Sequence, residues 1–379
     1  MLNFIGTPSS RFPAFMGVVT TVRQPFYRRH DKVLVTDSID AGCLGYLGVI
    51  TSSVPKKSMF LPNMIGNVLN ADLNRLNNGD VVRLEPTGEI NVFWEIESHQ
   101  NALFLTEACN CICKMCPQPP QKHDNLHYKN ALRVLDLLHS RHIGEICLTG
   151  GEPTLNKKQF IDVLNRCIVE HPESNISVLT NAKTFSDIKF TYDVAGVSTA
   201  NVIFCVSLHS DIDTIHDDLV GVTGSYDETQ EGIYNLARHG LPIEIRHVIS
   251  KANYSRLPEF SEHMYRYFPF CQHYAFMGLE VCGLAEKNFS DIYIDSHEYS
   301  EELRRAVLLL SRRGLHPSVY NVPLCSCHPE IHSFARRSIS AWKNSFEESC
   351  AACSKSEDCC GFFATSTKKI AHTPNPFID

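Results

Sequence analysis

Beyond Asn101 the chain alternates short, unbroken apolar runs with segments whose apolar residues recur every three or four positions. The runs "ALFLT", "EICLT", "ISVLT", "NVIFCVSL", "IEIRHVI" and "HYAFMGLEV" predict six buried strands, because their length and β-branched content suit a sheet covered on both faces. Helices are predicted between them. Phe160, Leu164, Cys167 and Ile168 recur at helical spacing behind a candidate N-cap, Asn156, and "EELRRAVLLLSRRG" sets Leu303, Val307 and Leu310 on one face with Gly314 at the stop position. Repeated βα units imply parallel strands with right-handed crossovers, so the expected fold class is α/β, a partial (β/α)6 TIM-like barrel over residues 101–321. Residues 1–100 carry runs such as "MGVVTTV" and "DKVLVTD" with turn signals at "NNGD" and "EPTGE", and predict a small β-rich N-terminal module without a catalytic constellation. Residues 322–379 form a cysteine-rich C-terminal extension. No shorter repeat or low-complexity tract is visible.

Composition narrows the picture. A chain of 379 residues exceeds the usual size of one domain, and 43% hydrophobic with 20% charged residues is ordinary for a folded soluble protein. The formal charge of -7 gives no reason to expect non-specific attraction to nucleic acid or to an anionic membrane. Arg23, Arg28, Arg29 and Lys32 form a local basic patch that reads as solvated surface. "MLNFIGTPSS" lacks a basic region followed by a long apolar core, and no apolar run is long enough to span a bilayer, so a cytoplasmic location without membrane attachment is expected. In that compartment thiols stay reduced. The sixteen cysteines therefore point to metal binding or catalysis rather than to a disulfide framework. They are unevenly placed: four in "CNCICKMC", six from Cys325 to Cys360, and Cys43, Cys147, Cys167, Cys205, Cys271 and Cys282 alone in apolar surroundings, where they read as small core residues.

In a barrel of parallel strands the chemistry belongs at the strands' C-terminal ends. Four signals fall there: "CNCICKMC" after the first strand, "TGGEPT" after the second, "TNAKT" after the third and "SLHS" at the end of the fourth. Cys109, Cys113 and Cys116, spaced x3 and x2 on a loop, can cap three irons of a [4Fe-4S] cube and leave the fourth iron open. An open coordination position separates a catalytic metal site from a closed structural one. The alternative is structural zinc with Cys111 as fourth ligand, although alternate cysteines on an extended loop point in different directions.

These residues resemble the radical S-adenosylmethionine (SAM) enzymes, whose CxxxCxxC signature matches Cys109, Cys113 and Cys116. The resemblance implies that SAM binds the open iron through its amino and carboxylate groups. One electron then cleaves it to methionine and a 5'-deoxyadenosyl radical that abstracts hydrogen from substrate. "GGEP", Gly150, Gly151, Glu152 and Pro153, resembles the family's second motif, with Glu152 accepting from the SAM ammonium group. Thr180 and Asn181 resemble its TNG element with Ala182 in place of glycine. By the same resemblance Ser207 is a ribose or carboxylate contact and Arg246 meets the SAM carboxylate. Met115 stands where the family often has an aromatic ring.

At the C-terminus, "LCSCH" and, beyond a predicted helical spacer "SFARRSISAWKNSF", "CAACSKSEDCCGFF" supply Cys325, Cys350, Cys353 and Cys359. This resembles the auxiliary-cluster extensions of radical SAM enzymes that modify peptides. Cys327 and Cys360 are alternative ligands, and a zinc knuckle is the alternative occupant. Together the motifs resemble the C-type radical SAM maturase of His-Xaa-Ser repeat peptide systems, from about Asp80 to Thr365, although Cys360 stands where that subgroup tends to have glycine. The resemblance implies a small precursor peptide as substrate, a second radical SAM maturase as partner and an electron donor protein. Two alternatives remain: a radical SAM enzyme acting on ribosomal or transfer RNA, to which "SLHS" is also similar, and a non-catalytic iron-sulfur or zinc module. Acidic balance and the lack of interleaved basic and aromatic runs speak against an RNA groove. The histidines of "HDNLH" and "HSRH" read as solvated, Asp217 and Asp218 as a helix-start pair, and the N-terminal module as a candidate for peptide binding by strand addition.

Overall fold

The computed structural model describes residues 2–55, 62–122, 124–139, 141–340, 343–366 and 374–378. The chain divides into two compact units.

The smaller unit comprises Met1–Leu103, Leu126–Cys147 and Arg166–Ser174. Its sheet orders Asn3–Ile5, Glu89–Trp94, Val81–Leu84, Phe15–Thr20, Lys32–Val35, Gly48–Ile50, Asn63–Gly66 and Thr7–Pro8. Val33, Ile50, Ile65, Val82, Leu84 and Ile90 fill its core. The turns predicted at "NNGD" and "EPTGE" place Gly79 and Gly88 at φ of 108° and 96°. The first and last strands in that order, Asn3–Ile5 and Thr7–Pro8, are separated only by Gly6. One segment thus pairs with Glu89–Trp94 at one end and Asn63–Gly66 at the other, and both pairings are antiparallel. The segment thereby bridges the two ends of the sheet, each of its halves being paired on one side.

The larger unit comprises Phe104–Asn125, Leu148–Asn165 and Asn175–Asp379. Here Asn175–Thr180, Val202–Ser207, Ile243–Val248, His273–Met277, Pro317–Tyr320 and Ala335–Arg336 pair in chain order, each parallel to the one before. Their apolar residues are buried on both faces, as in the consecutive Phe204, Cys205 and Val206, each 2% exposed or less. The predicted runs "ALFLT" and "EICLT" form the strands Ala102–Phe104 and Glu145–Thr149. Asn156 Oδ1 accepts the Gln159 N–H at 3.2 Å, so the predicted N-cap is in place. Helix Ser300–Arg312 buries Leu303, Val307 and Leu310, and Gly314 stops it at φ 77°.

The spacer "SFARRSISAWKNSF" forms no α-helix over its described residues and starts within the end of the 3-10 turn Pro329–Phe334; Ala341 and Trp342 are not among the described residues. Ala335–Arg336 continues the sheet beside Val319 and Tyr320. Ser338 Oγ accepts the Asn321 N–H at 2.8 Å and donates to Asn321 Oδ1 at 2.7 Å. Serine and arginine here satisfy neighbouring backbone and sheet edge, which outcompetes a weak local helix preference.

Candidate functional site

The cysteine loop is built by close backbone approach. Gly151 N–H donates to Thr106 O at 2.7 Å and Glu152 N–H to Ala108 O at 2.9 Å, which lays the start of the loop along the glycine turn. A Cβ on Gly150 would lie 2.5 Å from Thr106 O, and one on Gly151 would lie 2.4 Å from Ala108 O. Only glycine fits at either position. Further along, Ile112 and Lys114 donate to Val220 O and Leu219 O at the end of helix Asp213–Val220, and Gly221, at φ 71°, closes that helix against Ile112. Leu284 N–H then holds Cys116 O at 2.8 Å. Gly151→Ala is accordingly expected to cost about 3 kcal/mol, since two backbones must part. An anaerobic urea melt should show the loss, with iron uptake falling alongside; unchanged stability and uptake would show that the approach is not required.

Glu152 is 1% exposed, and its carboxylate is engaged within the protein. It accepts from the Thr154 hydroxyl (2.5 Å) and N–H (3.1 Å), the Thr180 hydroxyl (2.8 Å) and the Asn181 N–H (2.8 Å). Burial nonetheless raises its pKa. The side chain therefore ties the second loop to the third while remaining part of the cleft wall. Ala182 adopts φ 60°, a left-handed conformation in which glycine is the unstrained residue. Asn181 Nδ2 donates to Asn110 Oδ1 at 2.7 Å, joining the third loop to the cysteine loop.

These loops enclose a solvent-open cleft of about 1030 Å³. Cys109, Cys113 and Cys116 line it with Gly150, Gly151, Glu152, Thr180, Asn181 and Ser207. Pro153 is buried and is not part of the wall. Arg246 is not part of it either: its Nε is bonded to Glu244, whose other oxygen lies 2.7 Å from His273 Nδ1. Cys111 is 1% exposed, with Asn181 Nδ2 3.6 Å and Ser225 Oγ 3.8 Å from its sulfur. Met115 also lines the cleft and packs with Leu219, Ala285 and Ile292. Among the described residues, no three His, Cys, Asp or Glu side chains are arranged about a single-ion position. Three partly exposed thiols on one loop, facing a cleft of this size, fit the larger span of an iron-sulfur cluster with a small ligand beside it.

Two wall residues were missed by the sequence reading, His209 and His216. His209 N–H donates to His216 Nδ1 at 3.2 Å, and Val248 N–H donates to His209 Nδ1 at 3.4 Å. Each ring therefore carries its proton on Nε2. Burial drives the His216 pKa down to about 4 and that of His209 well below its ordinary value, so both rings are neutral donors near pH 7. The available signal was period-two spacing: His209 follows Ser207 by two residues.

A second group of thiols lies near the C-terminus. Cys325, Cys350, Cys353 and Cys359 line one cavity of about 340 Å³. Cys359 Sγ accepts N–H groups from Leu324 and Gly361, each at 3.4 Å. Hydrogen bonding from the Cys360 thiol, with those N–H groups, brings the Cys359 pKa down to about 6. Cys327 and Cys360 are not in the cavity wall. Cys360 is 3% exposed and packs with Ile339 and Phe363, while burial pushes the Cys327 thiol up to about 12.

The weaker candidates resolve individually. Asp217 accepts the N–H groups of Gly224 (2.6 Å) and Tyr226 (2.8 Å) at the start of helix Ser225–Arg238, and Asp218 pairs with Lys114. His139 and His142 have side chains 69% and 79% exposed; His123 lies outside the described residues. Arg23 pairs with Asp40 and Lys32 with Asp31. Cys43, Cys167, Cys205 and Cys271 are buried as expected, but Cys147 and Cys282 are only half-buried, Cys282 lying 3.9 Å from Pro117 O at the end of the cysteine loop.

With this geometry in view, the comparisons are informative. Residues 103–263 match the model of the radical SAM superfamily, which supports placing this segment in that class of enzyme. Over 156 residues the chain is 28% identical to the sporulation killing factor maturation protein SkfB of Bacillus subtilis, covering 40% of this chain and 36% of that protein. Over 162 residues it is 28% identical to a probable GTP 3',8-cyclase of Thermoplasma volcanium, covering 42% and 48%. The chain thus spans less than half the length of these curated relatives. Among solved structures, Streptococcus suis SuiB bound to S-adenosylmethionine superposes with a TM-score of 0.50 at 16% identity, covering 60% of this chain and 52% of that one, and shares the α/β fold with its parallel sheet. No helix among the described residues is long and apolar enough to cross a membrane.

Proposed function

We propose that the protein is a radical SAM peptide maturase whose core is an open (β/α)6 barrel. Cys109, Cys113 and Cys116 would hold a [4Fe-4S] cluster, and Cys325, Cys350, Cys353 and Cys359 a second one. The observation that carries this reading is the convergence of the three spaced thiols, the glycine turn and Ser207 on one cleft at the C-terminal ends of parallel strands. When bound, the cleft cluster supplies the electron that cleaves SAM to methionine and the hydrogen-abstracting 5'-deoxyadenosyl group.

The chain's own residues do the rest. Gly150 and Gly151 let the cysteine loop seat against the sheet, Glu152 fixes the Thr180–Asn181 backbone, and Ser207, His209 and His216 offer donors along the wall. The peptide reading draws on likeness to SkfB, named a maturation protein, and on the C-terminal thiols. A His-Xaa-Ser repeat peptide as substrate, a second maturase and a protein electron donor as partners, and cytoplasmic location belong to the same proposal. The four thiols about one cavity favour a closed cluster there.

The deciding experiment measures 5'-deoxyadenosine released from SAM by anaerobically reconstituted protein under strong reductant, with and without a His-Xaa-Ser peptide. Release in either condition supports the reading. A fully iron-loaded protein that releases none even with peptide overturns it. For the second site, Cys359→Ala is expected to lose about four irons per chain, whereas Cys360→Ala keeps them; the reverse pattern would exchange the ligand assignment.

A further inference from the structure

A separate solvent-open pocket lies beyond the C-terminal ends of the strands His273–Met277 and Pro317–Tyr320, where Gly278 and Asn321 contribute to its lining. It shares none of its lining with the cysteine-loop cleft. It does share Pro323, Gly361 and Phe362 with the cavity of the four C-terminal thiols, so the two cavities have a wall in common. In a sheet of parallel strands this is the end at which ligands bind.

Its chemistry is one-sided. Asp295 is half-buried; one oxygen accepts the His297 N–H at 2.9 Å and the other lies 3.5 Å from the Tyr293 hydroxyl. Among the described residues no cation is paired with it. Tyr299 is 3% exposed and lines the same cavity, and among the described residues its hydroxyl has no hydrogen-bond partner. The hydroxyl oxygen of this otherwise buried ring is left open to the cavity, where a ligand's donor can reach it. Burial first, then Asp295, Glu298 and neighbouring thiols lift the Tyr293 and Tyr299 phenols, with no cation among the groups acting to lower them. The walls add the faces of Phe362 and Phe363. A carboxylate without a counter-charge, a free phenol oxygen and aromatic faces together favour a positively charged hydrogen-bond donor.

We infer that this cavity binds the cationic end of a basic side chain, an ammonium or a guanidinium, with Asp295 as counter-charge and Tyr299 as acceptor. That the side chain arrives on a peptide rests on the function proposed above; the preference for a cation does not.

The test is isothermal titration of the cluster-reconstituted full chain, without SAM, using three capped amino acids: N-acetyl-arginine methylamide, N-acetyl-lysine methylamide and the uncharged N-acetyl-citrulline methylamide. At least one cationic probe is expected to bind saturably and at least tenfold more tightly than citrulline. Raising salt should narrow that gap. Asp295→Asn, which keeps an acceptor for the His297 N–H, is expected to abolish the preference, and Tyr299→Phe to weaken the cationic probe about threefold. Equal binding of charged and neutral probes, no saturable binding of either cation, or an undiminished preference in both folded variants would each overturn the inference. Failure of SAM cleavage would leave this result standing, and so distinguishes the two readings.

Discussion

Cys113→Ala is expected to release no 5'-deoxyadenosine above the reductant background, a loss of at least about a thousandfold, whereas Cys111→Ala should stay within about threefold of the unaltered protein. The contrast follows from where the sulfurs stand. Cys109, Cys113 and Cys116 are partly exposed on the cleft wall; Cys111 borders the same cleft but is 1% exposed, with its sulfur set among Ser225, Asn181 and the neighbouring Cys109 and Cys113 thiols. Removing a ligand takes away the electron source itself. Removing Cys111 deletes one small buried group, whose cost falls on stability rather than on chemistry. Iron content read beside product release separates the cases: a variant that keeps its iron but loses product would have lost ligand positioning. Loss of both in Cys111→Ala, with retention in Cys113→Ala, would overturn the three-ligand assignment.

Much of this was legible in one dimension. Apolar runs bounded by glycine and polar loops marked the parallel strands, since strands covered on both faces must be continuously apolar, as Phe204, Cys205 and Val206 show. Thiol spacing marked the cysteine loop because ligands to one group have to be close along a flexible segment. What spacing does not reveal is contact between distant segments. Gly151 reads as a turn residue in sequence; its constraint is Ala108 O, 2.4 Å from where a Cβ would sit. Glu152 reads as an acceptor on one loop, but its hydrogen bonds to Thr180 and Asn181, which tie that loop to the next, are not visible in spacing. The neighbours Cys359 and Cys360 differ because adjacent residues face opposite ways, one toward the cavity and the other toward Ile339 and Phe363. The strand Ala335–Arg336 escaped notice because two residues carry no periodicity.

The buried histidines give the other large effect, a loss of stability in mild acid. An unfolded histidine titrates near 6.5, but burial holds His216 down to about 4 and His247 to about 3. As pH falls below 6.5 the unfolded chain takes up protons that the folded chain refuses, so stability is present above that pH and lost progressively toward 4. At 1.36 kcal/mol per unit, His216 alone accounts for about 3 kcal/mol across the window, and His247 adds a comparable amount. Glu244, held down to about 2 chiefly by His273 and Arg246 against the cost of burial, loses its contribution with the same sign but at lower pH. Glu152 works the other way, since burial makes it take a proton more readily when folded. Anaerobic urea unfolding of the unaltered chain from pH 7.5 to 4.5 should therefore show a steep fall in midpoint. His216→Asn, whose Oδ1 can replace Nδ1 as acceptor for the His209 N–H, should flatten about a third of that slope, since His209 and His247 contribute with the same sign. An unchanged slope would mean that burial is not what keeps the ring neutral, and the donors assigned to the cleft wall would lose their physical basis.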